Sequence, residues 1–136
     1  KVAQFSGYVS EHSGYHHGEA SLMGTMIGMA QNYVGSNNIN MLIPNGQFGT
    51  RLMGGADSAS PRYIFTQLSP IVKYLIDDND TLNYLEDDGY KIEPEFFLPC
   101  IPLVLVNSVN GIGTGFSTKI PSYNPMDIID NIFNEL

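Results

Sequence analysis

The stretch INMLIPNGQFGTRLMGG (residues 39–55) decides how this chain is folded. Its first five residues alternate enough to form a strand, Pro44-Asn45-Gly46 is a turn signal, and the glycines that follow read as a long loop. RYIFTQLS (62–69) also alternates and supplies a second strand, so the two segments make a hairpin with a long, flexible tip. Two helical patterns precede it. KVAQFSGYVSEHSG (1–14) spaces Val2, Phe5 and Val9 for one helix face, with Gly7 weakening and Gly14 stopping it. YHHGEASLMGTMIGMAQNYVG (15–35) carries the strongest apolar stripe, Leu22, Met23, Met26, Ile27, Ala30, Tyr33 and Val34, with Glu19 in the first turn and Gly35 as the stop. Its other face, Ser21, Thr25, Gly28 and Asn32, is small and uncharged and suits close approach to another surface. Two helices followed by such a hairpin point to a winged-helix domain in an α+β chain.

Further along, PIVKYLIDD reads as a helix begun by Pro70, and residues 77–95 as an exposed acidic connection. FFLPCIPLVLVNS reads as a buried strand, VNGIGTGFS as a glycine-rich loop, and NPMDIIDNIFNEL as a helix capped by Asn124 with Pro125 at its first position. No internal repeat is present. The longest apolar run is too short for a membrane span and holds two prolines, and no signal peptide opens the chain. It begins without methionine and stops inside a helical pattern, as an excised segment would. Cys100 has no partner cysteine, so no disulfide framework exists and a reducing compartment fits. The sequon at Asn79 carries no weight without a secretory context.

A net charge of −8 in 136 residues argues first against nucleic acid, whose binding rests on cations meeting phosphates. The acidity is local, however. Residues 1–73 carry a net +1, residues 77–95 a net −7, and the remainder −2. The first half is rich in Gly, Ser, Asn and Thr, which offer N–H groups and hydroxyls to phosphates without a large charge.

Four constellations invite chemistry. His16 and His17 cannot both face one way on a helix and have no Cys or carboxylate cluster beside them, so loop or capping roles outweigh a metal site. DDNDTLNYLEDD has the acids of a calcium loop, but Leu82 stands where the sharp turn needs glycine, and a solvated surface is the better reading. GIGTG (111–115) lacks the third glycine of a dinucleotide fingerprint and does not open a helix. Arg62 directly before Tyr63 is the fourth. A phenol, with an ordinary pKa of about 10, is a poor nucleophile near neutrality unless its anion is favoured, which a neighbouring cation does. The same guanidinium fork suits charge developing on phosphate oxygens. Taken alone, Arg-Tyr is a common dipeptide whose ordinary reading is a strand tyrosine beside a surface arginine.

Six motifs change that balance. YHHGEASL, AQNYVGSNN, GQFGTRLMGG, DSASPRYIFTQLSP, EPEFFLP and NGIGTGFSTKIP occur in an order and at intervals that closely resemble the breakage-reunion core of eukaryotic-type DNA topoisomerase II, a type IIA enzyme. The resemblance covers essentially all 136 residues. It implies a winged-helix domain over residues 1–102 and the beginning of a tower domain over 103–136. By the same resemblance, Tyr63 matches the tyrosine that becomes linked to a 5′ phosphate, and Arg62 the arginine that stabilises the transition state. Tyr15, His16, His17 and Ser21 are placed beside DNA, on the N-terminal part of the long helix, where free N–H groups favour an anion. Ile112 matches the isoleucine that wedges between base pairs and bends the duplex, a use to which an apolar side chain flanked by glycines is suited.

The function implied is an ATP-dependent double-strand passage: a transient break in double-stranded DNA, transport of a second duplex, and religation, by a homodimer with one Tyr63 per subunit. Mg²⁺ and ATP are both implied to bind regions outside these residues, so this segment alone is expected neither to cleave DNA nor to hydrolyse ATP. The location implied is the nucleus for a cellular enzyme, or host cytoplasm or virion for a viral one. The sequence departs from the family's common NGAEGIGTG in reading NSVNGIGTG, with Ser108 and Asn110 substituted and the wedge residue kept. Two rival readings are a non-catalytic winged-helix module that only holds DNA, and an acidic domain in which 77–95 recruits a basic partner.

Overall fold

The computed structural model describes residues 1–76 and 82–136. Helix α1 (Val2–His12) packs against α2 (Glu19–Ala30), and both close over a core of Val2, Leu22, Met26, Ile27, Ala30, Leu42, Phe48 and Ile64. The stripe on α2 that faces this core is the one its sequence spacing predicts, as far as Ala30.

Both ends of α2 fall short of the expected 15–35. Gly18 at the N-cap has φ 92°, outside helical space, so Tyr15, His16 and His17 precede the helix. At the other end the Asn37 side-chain amide donates to the carbonyls of Gly28 and Gln31, and the Met41 N–H donates to the Met29 carbonyl. These bonds satisfy the last carbonyls from outside and turn the chain away one helical turn early. Tyr33 and Val34 therefore leave the stripe, and Asn32 leaves the small polar face.

The predicted hairpin exists as a loose antiparallel pairing of residues 41–45 with 65–69. Leu42 is bridged to Leu68 and Asn45 to Phe65, and Asn45 and Phe65 exchange both backbone bonds at 3.0 and 2.9 Å. Arg62 and Tyr63 lie in a turn just before the second segment, not inside it. The helix expected after Pro70 is one short turn, α3 (Val72–Leu75).

Three expectations need correction beyond this point. Residues 77–81 lie outside the described part, including the sequon at Asn79 and the start of the calcium-like stretch. The rest of the acidic connection is a hairpin, β1 (Tyr84–Asp87) with β2 (Tyr90–Pro94), turned by Asp88 and Gly89, both at positive φ. An Asp-Gly pair in that conformation matches the strands' own twist. FFLPCIPLVLVNS is no buried strand: Phe96, Phe97 and Leu98 are exposed, and α4 (Leu103–Val106) occupies its second half. Pro99 and Pro102 lack the N–H that a central strand would need. The glycine-rich VNGIGTGFS also forms a hairpin, β3 (Val109–Gly113) with β4 (Phe116–Ile120), closed by Thr114 and by Gly115 at φ 77°.

The final helix, α5 (Pro125–Glu135), begins as predicted, with the Asn124 side chain accepting the Met126 N–H at 2.9 Å. The chain after residue 102 is fastened to the first part through Asn38, which donates to the Val106 and Tyr123 carbonyls, and by a reciprocal pair between Ile39 and the Asn107 side chain. Among the described residues no helix is long and apolar enough to cross a membrane.

Candidate functional site

The first N–H groups of any α-helix have no partner within it. In α1 two of them are spent on a segment some sixty residues away: the Val2 N–H donates to the Ile64 carbonyl at 3.0 Å and the Ala3 N–H to the Pro61 carbonyl at 3.2 Å. Between those anchors the Tyr63 N–H donates to the Ser60 carbonyl at 2.9 Å, closing a tight turn. Ile64, only 2% exposed, plugs the core directly after it. The turn is thus fixed at both ends by backbone bonds and at one by burial, while Arg62 and Tyr63 point outward, Tyr63 being 66% exposed. The Arg62 guanidinium carbon lies 5.0 Å from the centroid of the Tyr63 ring, within cation–π range.

Arg62 also lines a shallow cleft of about 250 Å³ with Pro61, Ala3, Met23 and Glu19. The start of α2 and the Arg62 turn therefore face one opening. Tyr63, His17 and Ser21 lie outside its lining.

Tyr15, His16 and His17 form a small aromatic group before α2. The Tyr15 and His17 rings meet edge to face with centroids 5.6 Å apart, and His16 lies 4.2 Å from His17. Their backbone is held by the Gly14 N–H, which donates to Glu93 Oε2 of β2 at 2.7 Å, and by the Tyr15 N–H, which reaches Ser13 Oγ at 3.3 Å. Ser21 sits exposed in the first turn of α2, and its carbonyl accepts the Thr25 hydroxyl. Ile112 is apart from this group. It is 93% exposed near the end of the β3–β4 hairpin, paired with Ser117, and among the described residues no other element packs broadly against that hairpin.

The long loop that leads to Tyr63 is braced from within. Thr50 donates its N–H to Asp57 Oδ1 and its hydroxyl to Oδ2, each at 2.8 Å. The Gln31 side chain donates to the Phe48 carbonyl at 2.9 Å. A Cβ at Gly49 would stand 2.6 Å from the Gly55 Cα, so only glycine allows that crossing. Sequence reading missed these supports. One signal was available: Asp57 is the only acid between Glu19 and Asp77, which is odd for a merely solvated loop.

The Thr50 hydroxyl, then the Thr50 N–H, hold the Asp57 carboxyl below its ordinary value near 3.8. A depressed carboxyl stabilises the folded loop fully above that ordinary value and loses its contribution as the pH falls through the lowered one. Pepsin cleavage beside Leu52 is therefore expected to stay slow until the pH drops below the usual carboxylate range. Asp57→Ala should raise tryptic cleavage after Arg51 several-fold at neutral pH. Equal cleavage of both proteins would show that the clasp does not order the loop.

The family model for DNA gyrase/topoisomerase IV matches residues 1–136. The chain is 63% identical over 134 residues to DNA topoisomerase 2 of Pisum sativum, covering 97% of this chain and 9% of that protein. It is 56% identical over 138 residues to a mitochondrial DNA topoisomerase 2 of Dictyostelium discoideum, covering 100% and 11%. Among solved structures, the DNA-binding, cleavage and re-ligation domain of Plasmodium falciparum topoisomerase II superposes with a TM-score of 0.94 at 54% identity, covering 99% of this chain and 19% of that one. The chain thus spans about a tenth of the length of the curated relatives it matches.

Proposed function

The chain belongs to the DNA gyrase/topoisomerase IV family, and from that premise we propose that Tyr63 is the nucleophile of a type II DNA topoisomerase. Its phenolic oxygen attacks a backbone phosphorus, the P–O3′ bond breaks, and the 3′ hydroxyl leaves on the DNA. Tyr63 then carries the 5′ phosphate until that hydroxyl attacks the phosphotyrosine and restores the strand. One phosphodiester replaces another, so resealing needs no separate energy source. Arg62 stabilises charge on the non-bridging oxygens in both directions.

The observation that carries this reading is the turn itself. A tyrosine and an arginine, side by side and exposed, are held on a backbone pinned to the core at Ile64 and to the N-terminus of α1. Such pinning fits a group that must meet a phosphorus within tenths of an ångström. His17, His16, Tyr15 and Ser21 contact the duplex near the scissile phosphate, assisted by the free N–H groups of α2. Ile112, on its exposed hairpin, enters a base step and bends the DNA.

The pairing of 41–45 with 65–69 behind two packed helices supports a winged-helix domain over 1–102. Residues 103–136 begin the tower domain. The protein acts as a homodimer on double-stranded DNA, each protomer cutting one strand while ATP drives passage of a second duplex. Among the described residues no three His, Cys, Asp or Glu side chains are grouped to hold a metal. These residues do not fit Mg²⁺, which with ATP belongs to other regions of the full-length protein, and no step here runs through either. A nuclear location accords with the eukaryotic relatives, one of which is named as mitochondrial.

The test is to quench the full-length protein on DNA with denaturant, digest it and map the adduct. The nucleotide is expected on Tyr63 through its 5′ phosphate. An adduct on any other side chain, or a 3′ linkage, would overturn the assignment.

A further inference from the structure

The loop between Gly46 and Ser60 is held more firmly than an idle connection requires. Phe48 is buried and tied to Gln31, Gly49 crosses Gly55 at backbone contact, the Ala59 N–H donates to the Gln47 carbonyl, and Thr50 and Asp57 are doubly bonded. Bracing of this kind usually serves to hide apolar side chains. Here it holds them out: Leu52 is 92% exposed, and Met53 and Arg51 flank it in the open. The only acid of the loop, Asp57, has both oxygens engaged by Thr50, so the tip presents a cation and an aliphatic group without a competing anion. The loop ends at Ser60, whose carbonyl accepts the Tyr63 N–H, so the tip and the proposed nucleophile are carried on one continuous braced piece.

Resting on the function proposed above, we propose that residues 51–53 form a further DNA contact, in which Arg51 meets a backbone phosphate and Leu52 packs on the sugars and base edges beside it. A lone cation gives little affinity, and an exposed leucine gives none in water. Together, on a rigid loop, they match the alternation of charge and apolar edge along a groove. The contact sets where the duplex lies relative to Tyr63 without taking part in the reaction.

Duplex binding by the full-length protein tests this, carried in a Tyr63→Phe background so that no covalent adduct forms. Anisotropy of a labelled mixed-sequence duplex is read across a salt series. Arg51→Ala is expected to lower the slope of log affinity against log salt by about 0.9, the share of one phosphate contact. Leu52→Ala should weaken binding about tenfold with the slope kept, since it removes apolar burial and no charge, and Leu52→Met should restore most of it. Unchanged affinity and slope in both variants, beside a parent that binds, would overturn the contact and leave the function standing. Weaker binding accompanied by dissociation of the dimer in sedimentation would also overturn it, by assigning the tip to a second copy of the chain. A parent that does not bind duplex DNA would take both proposals down.

Discussion

Tyr63→Phe, made in the full-length protein, is expected to abolish relaxation of supercoiled DNA and formation of the covalent adduct while leaving duplex affinity largely intact. The substitution deletes one oxygen and little else. Tyr63 is placed through its backbone, by the bond from its N–H to the Ser60 carbonyl and by the neighbouring Pro61 and Ile64 carbonyls held on α1, all of which phenylalanine keeps. The ring stays available to the Arg62 guanidinium, and an exposed position tolerates the added apolar edge. Removing the attacking atom of a covalent mechanism costs on the order of 10⁶ in rate, far beyond what loss of a surface hydroxyl does to folding. Relaxation assays beside a filter-binding curve separate the two. Relaxation at the parent rate would mean that another group attacks the phosphate and that Tyr63 is only a surface aromatic.

The adjacency of that pair was plain in the sequence, but its exposure and rigidity were not. What fixes the turn is the start of α1, and no local pattern tells a reader that the N–H groups of Val2 and Ala3 will be used on Pro61 and Ile64. The core stripe of α2 and the Asn124-Pro125 start of α5 could be read because each follows from local periodicity or capping. The end of α2 could not, since it depends on Asn37 folding back onto Gly28 and Gln31. Two hairpins were missed for different reasons. In the first the Asp-Gly turn signal was present but submerged in a run of acids that reads as a solvated connection. In the second, three glycines within five residues read as a loop, whereas five cross-strand pairs from Val109↔Ile120 to Gly113↔Phe116 impose extended structure on them. Tertiary and cross-strand bonds outweighed local preference in each case. The grouping of Tyr15, His16 and His17 likewise became visible only once Gly18 was seen to exclude them from the helix.

Arg62→Ala should lower the rate of strand cleavage by about 10²–10³-fold, the usual cost of removing one group aimed at charge that develops in the transition state. Duplex affinity should fall far less, because a single phosphate contact is a small part of a large interface. The side chain is exposed and the turn's anchors are backbone bonds, so the variant keeps its fold. The informative companion is Arg62→Lys. It retains the charge and, through its ammonium, the attraction to the Tyr63 ring, but it loses the planar fork that holds two phosphate oxygens at once. If the guanidinium acts mainly by lying over the ring, lysine should rescue most of the rate. If it acts by clamping the phosphate, lysine should recover only a small part, and single-turnover cleavage measured on pre-bound DNA will show the difference free of any change in affinity. The geometry favours the second result: Arg62 lines the cleft shared with the start of α2, so its fork has access to an anion held at that helix's free N–H groups. Wild-type cleavage rates in both variants would remove Arg62 from the chemistry altogether.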